Sequence, residues 1–149
     1  MKKLTAVCAF AFVLGICASA AMADPGRGSS TQCYLWANNG SPTVGAAYSP
    51  SSLYSYNAVG RASANLVTKT AVGTYTVTCK GVGGGSLFTG STSWGAGGHV
   101  QVTAYGSEDA DYCKVVSWSS GGADFSATVK CFNSAGAASD NRFDLLFAW

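Results

Sequence analysis

The sequence predicts an all-β protein, an antiparallel β-sandwich of about eight short strands held by two disulfides. Helix signals are nearly absent, and the 149 residues include 19 glycines and many Ser, Thr, Val and aromatic residues. Short runs alternate apolar with polar residues, which is the period of a strand with one buried face. Glycine-rich turns separate these runs at regular spacing, as is typical of small all-β domains.

The first 23 residues have the pattern of a secretory signal peptide. Lys2 and Lys3 precede an apolar run from 4 to 18, and Ala21-Met22-Ala23 supplies the small-x-small cleavage site. Cleavage would leave a flexible tail at 24–31, followed by a single sandwich domain at 32–149. We therefore expect an exported protein, either secreted or periplasmic.

The charge balance depends on the leader. The chain has nine Lys and Arg against seven Asp and Glu, and two of the lysines lie in the leader, so the processed chain is seven against seven. A neutral chain lacks the excess positive charge that attracts nucleic acid or an anionic membrane surface, so neither is expected as a partner. Low net charge leaves self-association open. We expect no cofactor.

The strands follow from the alternation, element by element. The predicted strands are 32–37, 53–57, 65–70, 74–80, 99–105, 112–119, 124–132 and 141–149. Ala71-Val72-Gly73 joins the third and fourth strands as a hairpin loop with Gly at its end. The glycine-dense stretch 81–98 is expected to be a long loop, with room for a short edge strand.

Four cysteines remain once the leader is removed, and an even number in an exported chain predicts two disulfides. They are Cys33, Cys79, Cys113 and Cys131. Cys113 and Cys131 lie on strands that follow one another, which favours their pairing and leaves Cys33–Cys79. Sequence alone allows three connectivities. A metal site is not expected, since no C-x-x-C spacing occurs and His99 is the only histidine.

Seven segments carry a resemblance to a domain of uncharacterised function. They are 34–38 (YLWAN), 54–57 (YSYN), 73–77 (GTYTV), 100–106 (VQVTAYG), 113–118 (CKVVSW), 129–132 (VKCF) and 140–143 (DNRF). The sequence resembles a β-domain that recurs, singly or in tandem, in secreted bacterial proteins. The resemblance implies architecture and export rather than an activity. It also implies the Cys113–Cys131 pairing, whereas Cys33 and Cys79 look particular to this chain.

The aromatic residues give the leading functional hypothesis, a non-catalytic binding or surface-interaction domain. Tyr34 and Trp36 alternate with Cys33 and Leu35, so one of these pairs faces away from the core. The binding candidates are Tyr34, Trp36, Tyr54, Tyr56 and Trp94. Exposed aromatic rows stack on sugar rings or anchor protein partners. We therefore expect a glycan or protein partner.

A small secreted hydrolase is the first alternative. His99 is the one possible imidazole base, but no G-x-S-x-G nucleophile motif accompanies it. Glu108, Asp109 and Asp111 form the one acid cluster, which could supply catalytic carboxylates or, as a weak candidate, calcium ligands. The simpler interpretation of this cluster is a solvated hairpin turn.

A small outer-membrane β-barrel ending at Trp149 is the second alternative. Phe143, Leu145, Phe147 and Trp149 alternate at the end of the chain. Most predicted strands are shorter than the ~10 residues that a membrane barrel needs, and four cysteines favour a soluble fold. We therefore interpret the segment as the last strand of the sandwich core.

Overall fold

The computed structural model describes residues 32–59, 65–83, 97–106 and 110–148, which form two packed antiparallel sheets. Nine strands lie in these ranges. They are β1 (Gln32–Ala37), β2 (Ala47–Tyr48), β3 (Ser55–Asn57), β4 (Asn65–Ala71), β5 (Thr74–Cys79), β6 (His99–Tyr105), β7 (Tyr112–Ser119), β8 (Phe125–Phe132) and β9 (Arg142–Ala148). The predicted all-β sandwich is confirmed.

The strands are shared between a four-stranded sheet in the order β3-β1-β9-β6 and a five-stranded sheet in the order β2-β4-β5-β8-β7. The first and last described strands, β1 and β9, are paired at the centre of the four-stranded sheet. The fold therefore closes only when residues more than a hundred positions apart pair in register.

The core lies between the sheets and is filled from both inner faces. Alternate residues of β1, β5, β8 and β9 are buried, as the period of two requires, whereas those of β6 and β7 are at most partly buried. The largest fully buried side chains are Tyr75, Phe125, Phe143, Phe147, Leu35 and Leu145. Phe125 stacks on Phe147 with ring centroids 4.1 Å apart, and Tyr75 packs against Phe143 at 5.2 Å. These aromatic pairs join the two sheets.

Both favoured disulfides are present. Cys33–Cys79 links β1 to β5 and so crosslinks the two sheets, whereas Cys113–Cys131 links the paired strands β7 and β8. By loop-closure entropy, closing loops of 46 and 18 residues contributes about 4 and about 3 kcal/mol respectively. Two disulfides indicate that the protein folds in an oxidising, extracellular type of environment.

The hairpin between β4 and β5 forms where the glycine predicts it. Gly73 has a φ of +62°, and an added Cβ would lie 2.5 Å from the carbonyl oxygen of Cys131. The Gly73 carbonyl accepts a hydrogen bond of 2.7 Å from the Cys131 amide, so the turn docks directly on β8. Glycine is required here because a side chain would displace this contact.

The predicted strand at 53–57 is shorter than expected. Ser52–Tyr54 forms a 3₁₀ turn, with the Ser51 hydroxyl accepting a hydrogen bond of 3.4 Å from the Leu53 amide, and β3 starts only at Ser55. A serine cap of this kind competes locally with extended structure. The sequence also missed β2, whose two residues are too few for an alternation pattern.

Several predicted features lie outside the described residues. They are the signal peptide at 1–23, the tail at 24–31, most of the loop at 81–98, and Glu108, Asp109, Trp94 and Trp149. Within the described ranges, no helix has the length and apolar character needed to cross a membrane.

Candidate functional site

The outer surface of the four-stranded sheet carries a cluster of aromatic side chains. Cys33 and Leu35 of β1 point into the core, so Tyr34 and Trp36 point outward. Tyr54 ends the 3₁₀ turn and Tyr56 lies on β3. Tyr105 ends β6 on the opposite edge of the sheet. We call these five residues the aromatic face.

Strand register brings these residues together in rows across the sheet. Tyr56, Tyr34, Leu146 and Gln101 are successive partners across all four strands. In the next row, Trp36 on β1 is paired with Asp144 on β9, and Asp144 is paired with Thr103 on β6. The aromatic residues thus come from three separate parts of the chain and meet around Asp144.

Ring contacts connect the aromatic face. Trp36 makes edge-to-face contacts with Tyr54 at 4.9 Å and with Tyr105 at 5.0 Å, measured between ring centroids. Tyr34 and Tyr56 stack at 5.8 Å. Pairs of this kind contribute roughly 0.5–1.5 kcal/mol each beyond their buried area. These contacts hold the rings in place relative to one another.

A groove runs between these rings. Its volume is about 350 Å³. The lining residues are Tyr34, Trp36, Leu53, Tyr54, Tyr105 and Asp144. A second depression of about 190 Å³ adjoins it and shares Tyr34 and Asp144, with Gln101, Thr103 and Leu146 on its far side. Aromatic rings therefore line most of the larger depression, whereas the smaller one has a mixed lining that includes three leucines beside Gln101 and Thr103.

Asp144 lies where the two depressions meet. Its residue is exposed, yet partial burial among the surrounding side chains raises the pKa of its carboxyl above the ordinary value. Within the described part of the chain, the carboxylate has no hydrogen-bond or ion-pair partner. The neighbouring cation on the same strand face, Arg142, lies over the Tyr105 ring at 5.8 Å. The carboxylate of Asp144 is therefore an unpaired hydrogen-bond acceptor that lines the groove.

The indole N–H of Trp36 is enclosed beside the groove and has no acceptor among the residues that the structure describes. Leaving such a donor unpaired costs about 1–3 kcal/mol. Groups of this kind are uncommon in native proteins and call for a structural or functional reason.

A buried amide network supports the aromatic face from beneath. Asn65 of β4 is fully buried, and its Nδ2 donates to the carbonyl oxygens of Tyr34 at 3.1 Å and Tyr56 at 2.9 Å. Its Oδ1 accepts a hydrogen bond of 3.0 Å from the Nδ2 of Asn57. Asn65 therefore joins the five-stranded sheet to the backbone of both strands that carry the stacked tyrosines.

Four of the five predicted binding residues, Tyr34, Trp36, Tyr54 and Tyr56, are brought together on the aromatic face. The fifth, Trp94, lies outside the described residues. The sequence interpretation missed Tyr105 and Asp144. Both lie on the outward, mainly polar face of their strands, whereas Val102 and Leu145 lie on the inward face. This alternation is the sequence signal that could have located them.

The residues of the enzymatic alternative are not gathered into one site in the described part of the chain. His99 is exposed at the start of β6, six residues from Tyr105, and has no hydrogen-bond or ion-pair partner among the described residues. Asp111 accepts a hydrogen bond of 2.7 Å from the side chain of Asn141. In the described ranges, no group of three His, Cys, Asp or Glu residues is arranged to hold a metal ion.

A second polar cluster lies at the hairpin end of the five-stranded sheet. Asp140 forms an ion pair with Lys69 and accepts hydrogen bonds from the Gly73 amide at 2.8 Å and the Tyr75 hydroxyl at 3.3 Å. Burial would raise the pKa of Asp140, but the Gly73 N–H and the Lys69 ammonium outweigh it and hold that pKa below its ordinary value. Burial, with Asp140 nearby, raises the pKa of Tyr75 to about 12. Each group in this cluster is paired, so we assign it a structural role.

Comparisons with known proteins give no relative from which a function could be transferred: no family model, no curated protein and no solved structure matches the chain.

Proposed function

We propose that this chain is an exported, non-catalytic carbohydrate-binding domain, and that the groove of the aromatic face holds the sugar. The supporting observation is the arrangement of Trp36 between Tyr54 and Tyr105, with the unpartnered carboxylate of Asp144 beside them. Sugar rings present C–H groups to aromatic faces and hydroxyl groups to acceptors, so this combination suits them.

The size of the groove suits a small ligand such as a glycan. The groove of about 350 Å³ falls at the lower end of small-molecule sites, roughly 300–1,000 Å³. The adjoining depression, which shares Tyr34 and Asp144, supports a ligand of two or more linked rings.

The proposal is binding rather than hydrolysis. The described lining residues of the two depressions include a single carboxylate, that of Asp144. Glycoside hydrolysis ordinarily uses two carboxyl groups that flank the scissile bond. Export through the leader at 1–23 is part of the proposal, and the two disulfides are consistent with it.

A glycan array with matched variants tests the proposal. The full chain is expressed with its leader so that export and oxidation occur, and the purified product is applied to the array. Trp36→Ala removes the central ring of the groove, whereas Tyr112→Ala removes an exposed ring that stacks on Phe132 on the other sheet. Thermal unfolding of both variants checks that they are folded at the assay temperature.

We expect the wild type to bind at least one glycan class, Trp36→Ala to lose at least tenfold in affinity, and Tyr112→Ala to stay within about twofold. A wild type that binds no glycan contradicts the proposal and leaves a protein partner as the alternative. Equal binding by folded Trp36→Ala also contradicts it, because the sugar would then lie elsewhere.

A further inference from the structure

We infer that the groove selects a glycan carrying a free ammonium group, namely an amino sugar whose nitrogen is not acetylated. This inference rests on the proposed carbohydrate-binding function and adds the chemical class of the ligand. It follows from three features of the site: the position of Asp144, the aromatic walls, and the absence of a counter-charge in the described lining.

Asp144 is the only charged residue among the described residues that line either depression. Its carboxylate has no internal partner in the described ranges, and partial burial among the surrounding side chains raises its pKa. A neutral sugar hydroxyl would satisfy an oxygen of this carboxylate but leave its charge uncompensated. An ammonium group would satisfy both, through a shorter and stronger charge-assisted hydrogen bond.

The aromatic walls add to this preference. Tyr34, Trp36, Tyr54 and Tyr105 all line the groove beside Asp144. The face of an aromatic ring carries negative electrostatic potential, so a cation within about 6 Å of the centroid is attracted to it. Arg142, the cation on the same strand face, already lies over Tyr105 from within the protein, so this ring of the groove accepts a positive group.

The position of Asp144 between the two depressions suits an amino sugar within a chain of linked rings. Asp144 borders both the larger depression and the adjoining one with Gln101 and Thr103. Two linked rings can therefore occupy the two depressions while a substituent on either ring reaches the same carboxylate. Acetylation would remove the charge of that substituent and place a methyl group beside Asp144.

The test uses three tetrasaccharides with the same β-1,4 backbone: the glucosamine, the N-acetylglucosamine and the glucose tetramer. Each is titrated into the oxidised, exported protein by calorimetry at about pH 6, below the pKa of about 7.7 of an ordinary α-amino group. Asp144→Asn removes the charge at the site. Asp111→Asn removes the same charge at a carboxylate that contacts Asn141 and lines neither depression.

We expect the wild type and Asp111→Asn to bind the glucosamine tetramer at least tenfold more tightly than the other two tetramers. Asp144→Asn should bind all three within about twofold of one another. If the wild type binds the three tetramers equally, or if Asp144→Asn keeps the preference, the inference is wrong while the carbohydrate-binding function stands. If none of them binds and the array is also empty, the proposed function itself fails.

Discussion

Replacing Asn65 with alanine is the sharpest test of how the fold supports the aromatic face. The Asn65 side chain makes three hydrogen bonds between 2.9 and 3.1 Å and is fully buried, so water cannot replace any of them. Two of its partners are main-chain carbonyl groups of the other sheet, and the third is the amide of Asn57. Alanine at this position breaks all three bonds at once.

The loss in free energy of unfolding depends on which hydrogen-bonding groups Asn65→Ala leaves without a partner. A hydrogen bond contributes about 1 kcal/mol net, and a buried group left without its partner costs more than that. The Asn57 amide keeps a second acceptor, the Lys80 carbonyl at 3.1 Å, which limits the loss on that side. We therefore expect Asn65→Ala to lower the free energy of unfolding by about 3–5 kcal/mol.

Urea denaturation of the oxidised protein measures this loss. Asn133→Ala is the control, because the Asn133 side chain also bonds to the main chain but in an exposed turn, where its Oδ1 accepts hydrogen bonds from the Ala135 and Ala137 amides. Water can replace those bonds, so we expect the control to lose about 1 kcal/mol. Equal losses in the two variants would refute the reasoning, since burial would then make no difference.

The same variant separates stability from ligand positioning. At a temperature where Asn65→Ala remains folded, we expect its glycan affinity to fall severalfold, because the backbone of Tyr34 and Tyr56 has lost its anchor on the other sheet. Unchanged affinity in the folded variant would mean that the network stabilises the sandwich without orienting the stacked rings.

Two further predictions concern the hairpin end of the five-stranded sheet. Gly73→Ala should destabilise the fold by about 3 kcal/mol or more in urea denaturation, because the positive φ is strained for alanine and the new Cβ meets the Cys131 carbonyl. Gly45→Ala, with a similar φ but open space around it, should lose only about 1–2 kcal/mol; equal losses would show that the contact is unimportant. The pKa of Asp140 is held below its ordinary value, so its ionised form stabilises the fold above the unfolded pKa of about 3.9, and this stability is lost as the pH falls through the folded pKa. Melting temperature against pH should therefore drop less steeply below about pH 4 in Asp140→Asn than in the wild type, and parallel curves would contradict this assignment.

Much of the fold could be read from the sequence because its determinants are local. Alternation separated the two faces of the long strands, and the strand at 125–132 buries the residues of its apolar phase. For the first strand, alternation left open whether Cys33 and Leu35 or Tyr34 and Trp36 face the core. The hairpin at Gly73 was predictable for the same reason, since a turn depends on a few adjacent residues. The two-residue strand Ala47–Tyr48 was missed because its pairing, rather than its own sequence, defines it.

The candidate site depends on long-range register, which the sequence does not contain in readable form. Trp36 meets Asp144 only because β1 pairs with β9 in one particular alignment, and a shift by one residue would turn Asp144 into the core. Asn65 could have been identified from the sequence, although the sequence interpretation missed it. It occupies the buried phase of β4, in step with Val67, and a polar residue in that phase must find partners inside the protein.

The two outer faces of the sandwich provide an internal comparison for the aromatic face. The outer face of the five-stranded sheet is rich in hydroxyl groups. Thr68, Thr76 and Thr128 are successive partners there, across three strands. Such a surface satisfies the demand of the fold for a polar exterior with good strand formers. The four-stranded sheet instead presents exposed tyrosines around Asp144, and their ring contacts also add to the stability of the fold. The five-stranded sheet also carries a stacked aromatic pair, Tyr112 with Phe132, but Tyr34, Trp36, Tyr54 and Tyr105 of the four-stranded sheet line a single groove beside Asp144, and this concentration supports the proposed ligand site.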